Sequence, residues 1–120
     1  MSKLLNVSNH KFTEEQINDL QTNWEITEVI ELPNELKTKW SNLTPTDYKD
    51  VCKEVISEAY KLEQVPYIHV AGFPAAVCEV VKEYPLCLYA YSERSSKEEL
   101  QPDGTVKKVS IFNHKGFYRY

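Results

Sequence analysis

VPYIHVAGFPAAVCEVVKEYPLCLYAY, residues 65–91, decides the fold. Val65–Ala71 is a short, mostly apolar run that ends at Gly72, and it reads as a strand. Phe73-Pro74-Ala75-Ala76 opens a helix, because proline is preorganised for a first helical turn, where its missing N–H costs nothing. Ala76, Val77, Val80 and Val81 then recur at helical spacing and give that helix one buried face. Tyr84-Pro85 stops it, since the residue before a proline is pushed out of helical geometry. Leu86–Tyr91 is a nearly continuous apolar run, the pattern of a strand covered on both faces.

The same alternation extends upstream. Lys3–Val7 reads as a strand, and Thr13 with Gln16 forms a capping box for a helix, with Phe12 and Ile17 as its hydrophobic staple. Ile17, Leu20 and Trp24 continue one helical face. Ile26–Leu32 is a second strand, and Pro33 starts a helix on which Leu36 and Trp40 share a face. Thr44-Pro45-Thr46-Asp47 supplies a cap, a first-turn proline and an early acid for a longer helix. Its core positions are Tyr48, Val51, Val55, Ala59 and Leu62. Downstream, Ser92–Gln101 is polar, Pro102-Asp103-Gly104 is a turn, and Val106–Phe112 with Phe117–Tyr120 are strand-like. Strand–helix alternation predicts an α/β fold, three-layered and Rossmann-like, with a mostly parallel sheet and a C-terminal β-strand extension.

Length and composition bound the function. Residues 1–120 make one domain, long enough to bury a core unaided. A net charge of −4 argues against a partner such as duplex DNA or long RNA, which demands a basic face. It leaves room for a small anion held by a few cations and backbone N–H groups. Cys52, Cys78 and Cys87 are an odd set without a C-x-x-C pair, which favours a reducing cytoplasm over a disulfide framework or zinc. The opening residues lack a signal-peptide run, and no apolar stretch approaches the ~20 residues of a membrane span. Neither metal nor cofactor is expected, because His10, His69 and His114 are too dispersed for a ligand set.

Ligands of parallel sheets sit beyond the carboxyl ends of the strands, where the strand order reverses. That rule selects the loops Ser8-Asn9-His10, Gly72-Phe73-Pro74-Ala75 and Ser92-Glu93-Arg94. Gly72 ahead of a proline-started helix lets backbone N–H groups face a phosphate; a glycine required only for a tight turn is the alternative. Ser8 and Asn9 can bond a phosphate or a base edge, or simply lead the chain to its Thr13 cap. His10 can move a proton near neutral pH. His69, inside a strand, reads as a core or sheet-face residue. His114 beside Lys115 suits an anion or an interface. Arg94, one of two arginines, can grip phosphate bidentately, or pair with Glu98 or Glu99 on the surface.

Several short stretches, in order, carry a resemblance over nearly the whole chain. They are Leu5-Asn6-Val7-Ser8-Asn9-His10 with Phe12-Thr13-Glu14-Glu15-Gln16, then Leu32-Pro33-Asn34-Glu35-Leu36 with Trp40-Ser41-Asn42. The last are Asp103-Gly104-Thr105-Val106-Lys107-Lys108, Ile111-Phe112-Asn113-His114 and Phe117-Tyr118-Arg119-Tyr120. In these the chain resembles the small stand-alone CRISPR-associated Rossmann-fold (CARF) proteins linked to ring nuclease activity. The resemblance implies a homodimer whose two-fold axis passes through the ligand site, and a cyclic oligoadenylate, foremost cyclic tetra-adenylate, as ligand. Cleavage in that class is metal-independent: a ribose 2′-OH attacks the neighbouring phosphate and leaves a 2′,3′-cyclic phosphate. By position it implies catalytic roles for His10, Ser8 and Arg94. It implies ligand contacts from Asn9, Gly72, Phe73, Pro74, Ala75, Ser92, His114 and Lys115.

Two other readings stay open. Ala71-Gly72-Phe73 offers no polar side chain, which favours a sponge or sensor that holds the ring without cleaving it. The remaining possibility is an α/β domain that binds an unrelated nucleotide and pairs through its tail strand.

Overall fold

The computed structural model describes residues 2–64 and 66–120. Its elements run β1 (Ser2–Val7), α1 (Glu14–Trp24), β2 (Ile26–Glu31), α2 (Asn34–Ser41), α3 (Tyr48–Tyr60), β3 (Tyr67–Val70), α4 (Pro74–Glu83), β4 (Cys87–Leu100) and β5 (Val106–Arg119). The sheet order is β2-β1-β3-β4-β5, parallel except for the antiparallel β4–β5 pair. This is a Rossmann-like α/β fold, and its strand order reverses between β1 and β3.

Two cores hold the layers together. Alternation along β1 sends Leu5 and Val7 to one face, where they meet Leu36 and Trp40 of α2, Val51, Val55 and Ala59 of α3, and Ala76 and Val80 of α4. Leu4 points the other way, to Leu20 of α1, Ile26, Leu88 and Phe117. Each Leu, Ile, Val or Phe among them contributes about 1.5–3 kcal/mol when fully buried. One helix on one face and three on the other make the three layers.

Local chemistry sets the boundaries. Thr13 Oγ1 accepts from the Gln16 N–H while Gln16 Oε1 accepts from the Thr13 N–H, the capping box expected of that spacing. The staple differs from expectation: Phe12 turns its ring to His69 and Phe117, and Ile17 stays 38% exposed. Pro74 occupies the first turn of α4, as its fixed φ favours. Pro45 does not do so for α3. Residues 44–47 form a turn in which Asp47 Oδ1 accepts from the Thr44 N–H, and the helix begins at Tyr48. The third strand is assigned from Tyr67; Val65, its expected start, lies outside the described residues.

The largest departure lies at the end of the chain. The expected loop Ser92-Glu93-Arg94 is strand, and Leu86–Tyr91 is not covered on both faces. β4 instead runs 14 residues from Cys87, and past Leu88 its residues are half-buried or exposed. β5 pairs with it from Arg119↔Leu88 out to Val106↔Leu100, with Lys115 as the extra residue of a bulge opposite Tyr91 and Ser92. Backbone pairing with β5, not apolar patterning, makes this polar segment a strand. The result is a two-stranded ribbon that leaves the body, and the chain measures 56 × 37 × 24 Å. Its radius of gyration is 17.1 Å, against about 14 Å for a compact domain of this length.

Candidate functional site at the β1–β3 switch point

Parallel pairing puts three polar residues in one cross-strand row at the carboxyl end of the sheet. Asn6 of β1 is in register with Glu31 of β2 on one side and His69 of β3 on the other. Asn6 and His69 are buried, which demands partners for their polar atoms. Asn6 is the hub. Its amide Nδ2 donates to the His10 carbonyl at 2.8 Å and to Glu31 Oε2 at 3.1 Å. Its Oδ1 accepts from Ser8 Oγ at 2.8 Å and from His69 Nδ1 at 3.0 Å. Glu31 Oε1 is paired with Lys37 Nζ of α2 at 3.2 Å, so the row connects a surface cation to a buried imidazole.

That geometry fixes the His69 tautomer: Nδ1 carries the proton and the lone pair lies on Nε2. Burial pushes the His69 pKa down to about 4; the Glu31 carboxylate opposes the shift and His10 adds to it. His69 is therefore neutral near pH 7. Phe12 packs its ring edge-on at 4.9 Å, and Phe117 lies 6.0 Å away, closing the apolar wall around it.

The β1 loop is held from below. Ser8 is 2% exposed, and its Oγ also accepts from the His10 N–H at 3.3 Å. Asn9 Oδ1 accepts from Ser41 Oγ at 2.6 Å, which ties the loop to the end of α2. His10 is anchored through its backbone, and its ring stands on the exposed loop. Beside it, Asn9, Asn34, Lys37, Thr38 and Ser41 line an open groove of about 330 Å³.

The β3 turn lies beside the β1 loop, since the Ala71 N–H bonds the Val7 carbonyl at 3.1 Å. Gly72 has φ +137°, and a Cβ there would lie 3.1 Å from Trp40 Nε1. Trp40 Nε1 donates to the Ala71 carbonyl at 3.0 Å, so the indole requires the glycine and locks the turn. Phe73 stacks on Tyr48 at 6.0 Å. Pro74 and Ala75 start α4, which has no side-chain cap, leaving its first-turn N–H groups to water or a ligand.

The expected residues thus fall into two groups. Ser8, Asn9, His10 and the turn Gly72, Phe73, Pro74 and Ala75 follow the carboxyl ends of the neighbouring strands β1 and β3, and of these Asn9 lines the groove. Ser92, Arg94, His114 and Lys115 lie on the ribbon. Arg94 is in a strand rather than a rim loop, opposite Phe112, with its guanidinium 4.7 Å from that ring's centroid. His114 Nε2 bonds Asp19 Oδ2 at 2.7 Å and fastens the ribbon base to α1, and Lys115 Nζ lies 3.7 Å from Glu93. Sequence reasoning missed Asn6, Glu31, Lys37 and Ser41. The available signal was a polar Asn6 in an apolar strand, and Lys37, Thr38 and Ser41 close together on the helix after β2. No group of His, Cys, Asp or Glu among the described residues is arranged to hold a metal ion.

A mostly parallel sheet with helices on both faces and a polar row at its reversal point defines a Rossmann-like α/β domain. The chain belongs to the family described as "Uncharacterized protein MJ1673 family", which matches residues 2–118. A relative from Methanocaldococcus jannaschii, "Uncharacterized protein MJ1673", is 29% identical over 129 residues, spanning 100% of this chain and 98% of the relative. No solved structure matches the chain. Among the described residues no helix is long and apolar enough to cross a membrane.

Proposed function

We propose that this protein is a cytoplasmic ring nuclease that binds a cyclic oligoadenylate, foremost cyclic tetra-adenylate, in the switch-point crevice and opens it without a metal. The observation that carries this reading is the row Glu31–Asn6–His69 with Ser8, lying under an exposed His10 at the β1–β3 reversal. The ordered resemblance at Leu5–His10 and Leu32–Asn42 supplies the chemistry, and both stretches build this crevice.

In the reaction the 2′-OH oxygen forms a bond to the adjacent phosphorus as the P–O5′ bond breaks. The 2′-OH proton passes to a base, and the departing 5′-oxygen takes a proton. His10, exposed on the β1 loop, is the group assigned here to move a proton. Ser8, buried in the network, positions the His10 backbone. The α4 N–H groups and Lys37 supply the positive potential that a phosphate needs. A second reading, a sponge that binds the ring intact, is favoured by the apolar Ala71-Gly72-Phe73 turn and by the neutral, buried His69.

The test is turnover. Substoichiometric protein is incubated in EDTA with excess cyclic tri-, tetra- or hexa-adenylate, and the products are separated by chromatography. Linear products ending in 2′,3′-cyclic phosphate at many turnovers, lost in His10→Ala with binding retained, are expected. Intact rings refute the enzyme. One equivalent of ring retained by the protein then establishes the sponge, and none retained points to another ligand.

A further inference from the structure

The outer β4–β5 ribbon is tied to the helices by one polar contact. His114 Nε2–H donates to Asp19 Oδ2 of α1 at 2.7 Å, and the two side chains are only 6% and 15% exposed. Among the described residues, the other side-chain bonds of this arm stay within it, as from Asn113 to Ser95, Lys115 to Glu93 and Thr105 to Asp103. The bulge at Lys115, with Gly116 next to it, lies at the same level, where the arm leaves the body.

That contact is incomplete. His114 Nδ1 is buried and has no hydrogen-bond partner. A neutral ring leaves a lone pair there without a donor, and a protonated ring leaves an N–H without an acceptor. Undocking returns Nδ1 to water. The cost of stripping it therefore offsets the bond made by Nε2, the two being of the same order. A groove of about 230 Å³, lined by Glu15, Asp19, Asn23, His114 and Lys115 among others, brings water to the edge of the pair. A junction so balanced opens more readily than the core around it.

The junction also touches the candidate site. Phe117 is 4% exposed, and its ring lies 5.0 Å from that of His114 and 6.0 Å from that of His69. It meets Phe12 edge-on at 5.6 Å, and Phe12 lies 4.9 Å from His69. From His69 the hydrogen bonds run through Asn6 to Ser8 and to the His10 carbonyl. One packed and bonded path thus joins the root of the arm to the β1 loop.

We propose that His114 and Asp19 form a latch through which the arm and the β1 loop open and close together. With the pair joined, Phe117 walls His69 and the Asn6 row holds the loop. With the pair parted, Phe117 moves with β5, water reaches His69, and the row releases residues 8–10. Coupling of this kind is reciprocal. A ligand that orders Ser8–His10 tightens the arm, and a load on the arm reaches the loop. The inference rests on the packing and holds whether or not the crevice opens a ring.

Hydrogen exchange of the full chain, read by mass spectrometry, tests it. Asp19→Ala removes the acceptor. Exchange is expected to quicken at least ~10-fold both at the ribbon base, residues 92–93 and 113–114, and in the loop, residues 8–10, with α3 within about 2-fold of the parent. Asp19→Asn keeps an acceptor for Nε2–H and is expected to restore the parent rates at both places. A quickened ribbon base with an unchanged loop overturns the coupling. An unchanged ribbon base, or an Asp19→Asn chain that exchanges as Asp19→Ala does, overturns the latch. Equal quickening of α3 reduces the effect to lost global stability and overturns both. The parent chain supplies a second measurement should Asp19→Ala not fold. In a series of low urea concentrations, ribbon base and loop should share one opening free energy and one urea dependence, and separate openings overturn the proposal.

Discussion

Replacing Asn6 by alanine removes the centre of the buried polar row, and its cost follows from the atoms left behind. His69 Nδ1–H loses its acceptor at Asn6 Oδ1 and is left buried, whereas Ser8 Oγ–H turns to the His10 carbonyl, 3.2 Å away. Each unsatisfied buried donor costs about 1–3 kcal/mol. The Glu31 carboxylate and the His10 carbonyl lose a donor too, but both lie at exposed positions where water replaces it at little cost. The cost is therefore about 1–3 kcal/mol, a sizeable part of the ~5–15 kcal/mol that stabilises a domain of this kind. At about 3–5 °C per kcal/mol for this length, Asn6→Ala should melt about 3–15 °C below the parent. Urea unfolding followed by far-UV circular dichroism gives the free energy directly. A double-mutant cycle with His69→Ala should return a coupling of about 1–2 kcal/mol, because the pair shares one hydrogen bond. A cost below about 0.5 kcal/mol for Asn6→Ala, with the urea dependence unchanged, would refute the hub.

His69 makes stability depend on pH. Its folded pKa is about 4, against ~6.5 unfolded. Between these values the unfolded chain binds a proton that the folded chain excludes, so stability rises with pH across the window and falls as pH drops through it. About 3 kcal/mol present above pH ~6.5 is lost by pH ~4, and His69→Gln should flatten that part of the profile measured by urea unfolding. Gly72→Ala forces a side chain to φ +137° with its Cβ 3.1 Å from Trp40 Nε1. It should cost about 2–4 kcal/mol and change the tryptophan emission as the indole moves; a melting temperature equal to the parent's would show the turn to be unstrained. Tyr120 Oη donates to the Val70 carbonyl at 2.7 Å, at the point where β3 and β4 cease to pair beyond His69↔Leu88. Tyr120→Phe should therefore lose about 1–2 kcal/mol in the same urea assay, and an unchanged midpoint would count against that role.

Much of the fold was legible because its signals are local. A capping box at Thr13 and Gln16, a proline at the start of α4 and the spacing of Val51, Val55 and Ala59 act within a few residues, and the structure keeps all of them. Glycine at 72 was legible as a turn. Its specific cause, an indole from α2, was not, since Trp40 is distant in sequence. The same limit applies to the crevice. The loops Ser8–His10 and Gly72–Ala75 follow from the rule for parallel sheets. Glu31, Asn6 and His69 become neighbours only when the β2–β1–β3 register is set. The loop reading of Ser92-Glu93-Arg94 failed because an outer ribbon pairs by backbone and carries little apolar patterning.

The sequence by itself determined the order and type of the elements through α4, the parallel character of the sheet and the apolar faces that build both cores. These depend on periodicity and on capping chemistry, which residues within one or two turns of each other decide. Only the tertiary structure decided that Asn6 joins Glu31 to His69, that burial keeps His69 neutral, and that Arg94 leaves the crevice along a projecting arm. Each of those depends on strand register and on what lies across it, and register is a property of two strands rather than of either sequence alone.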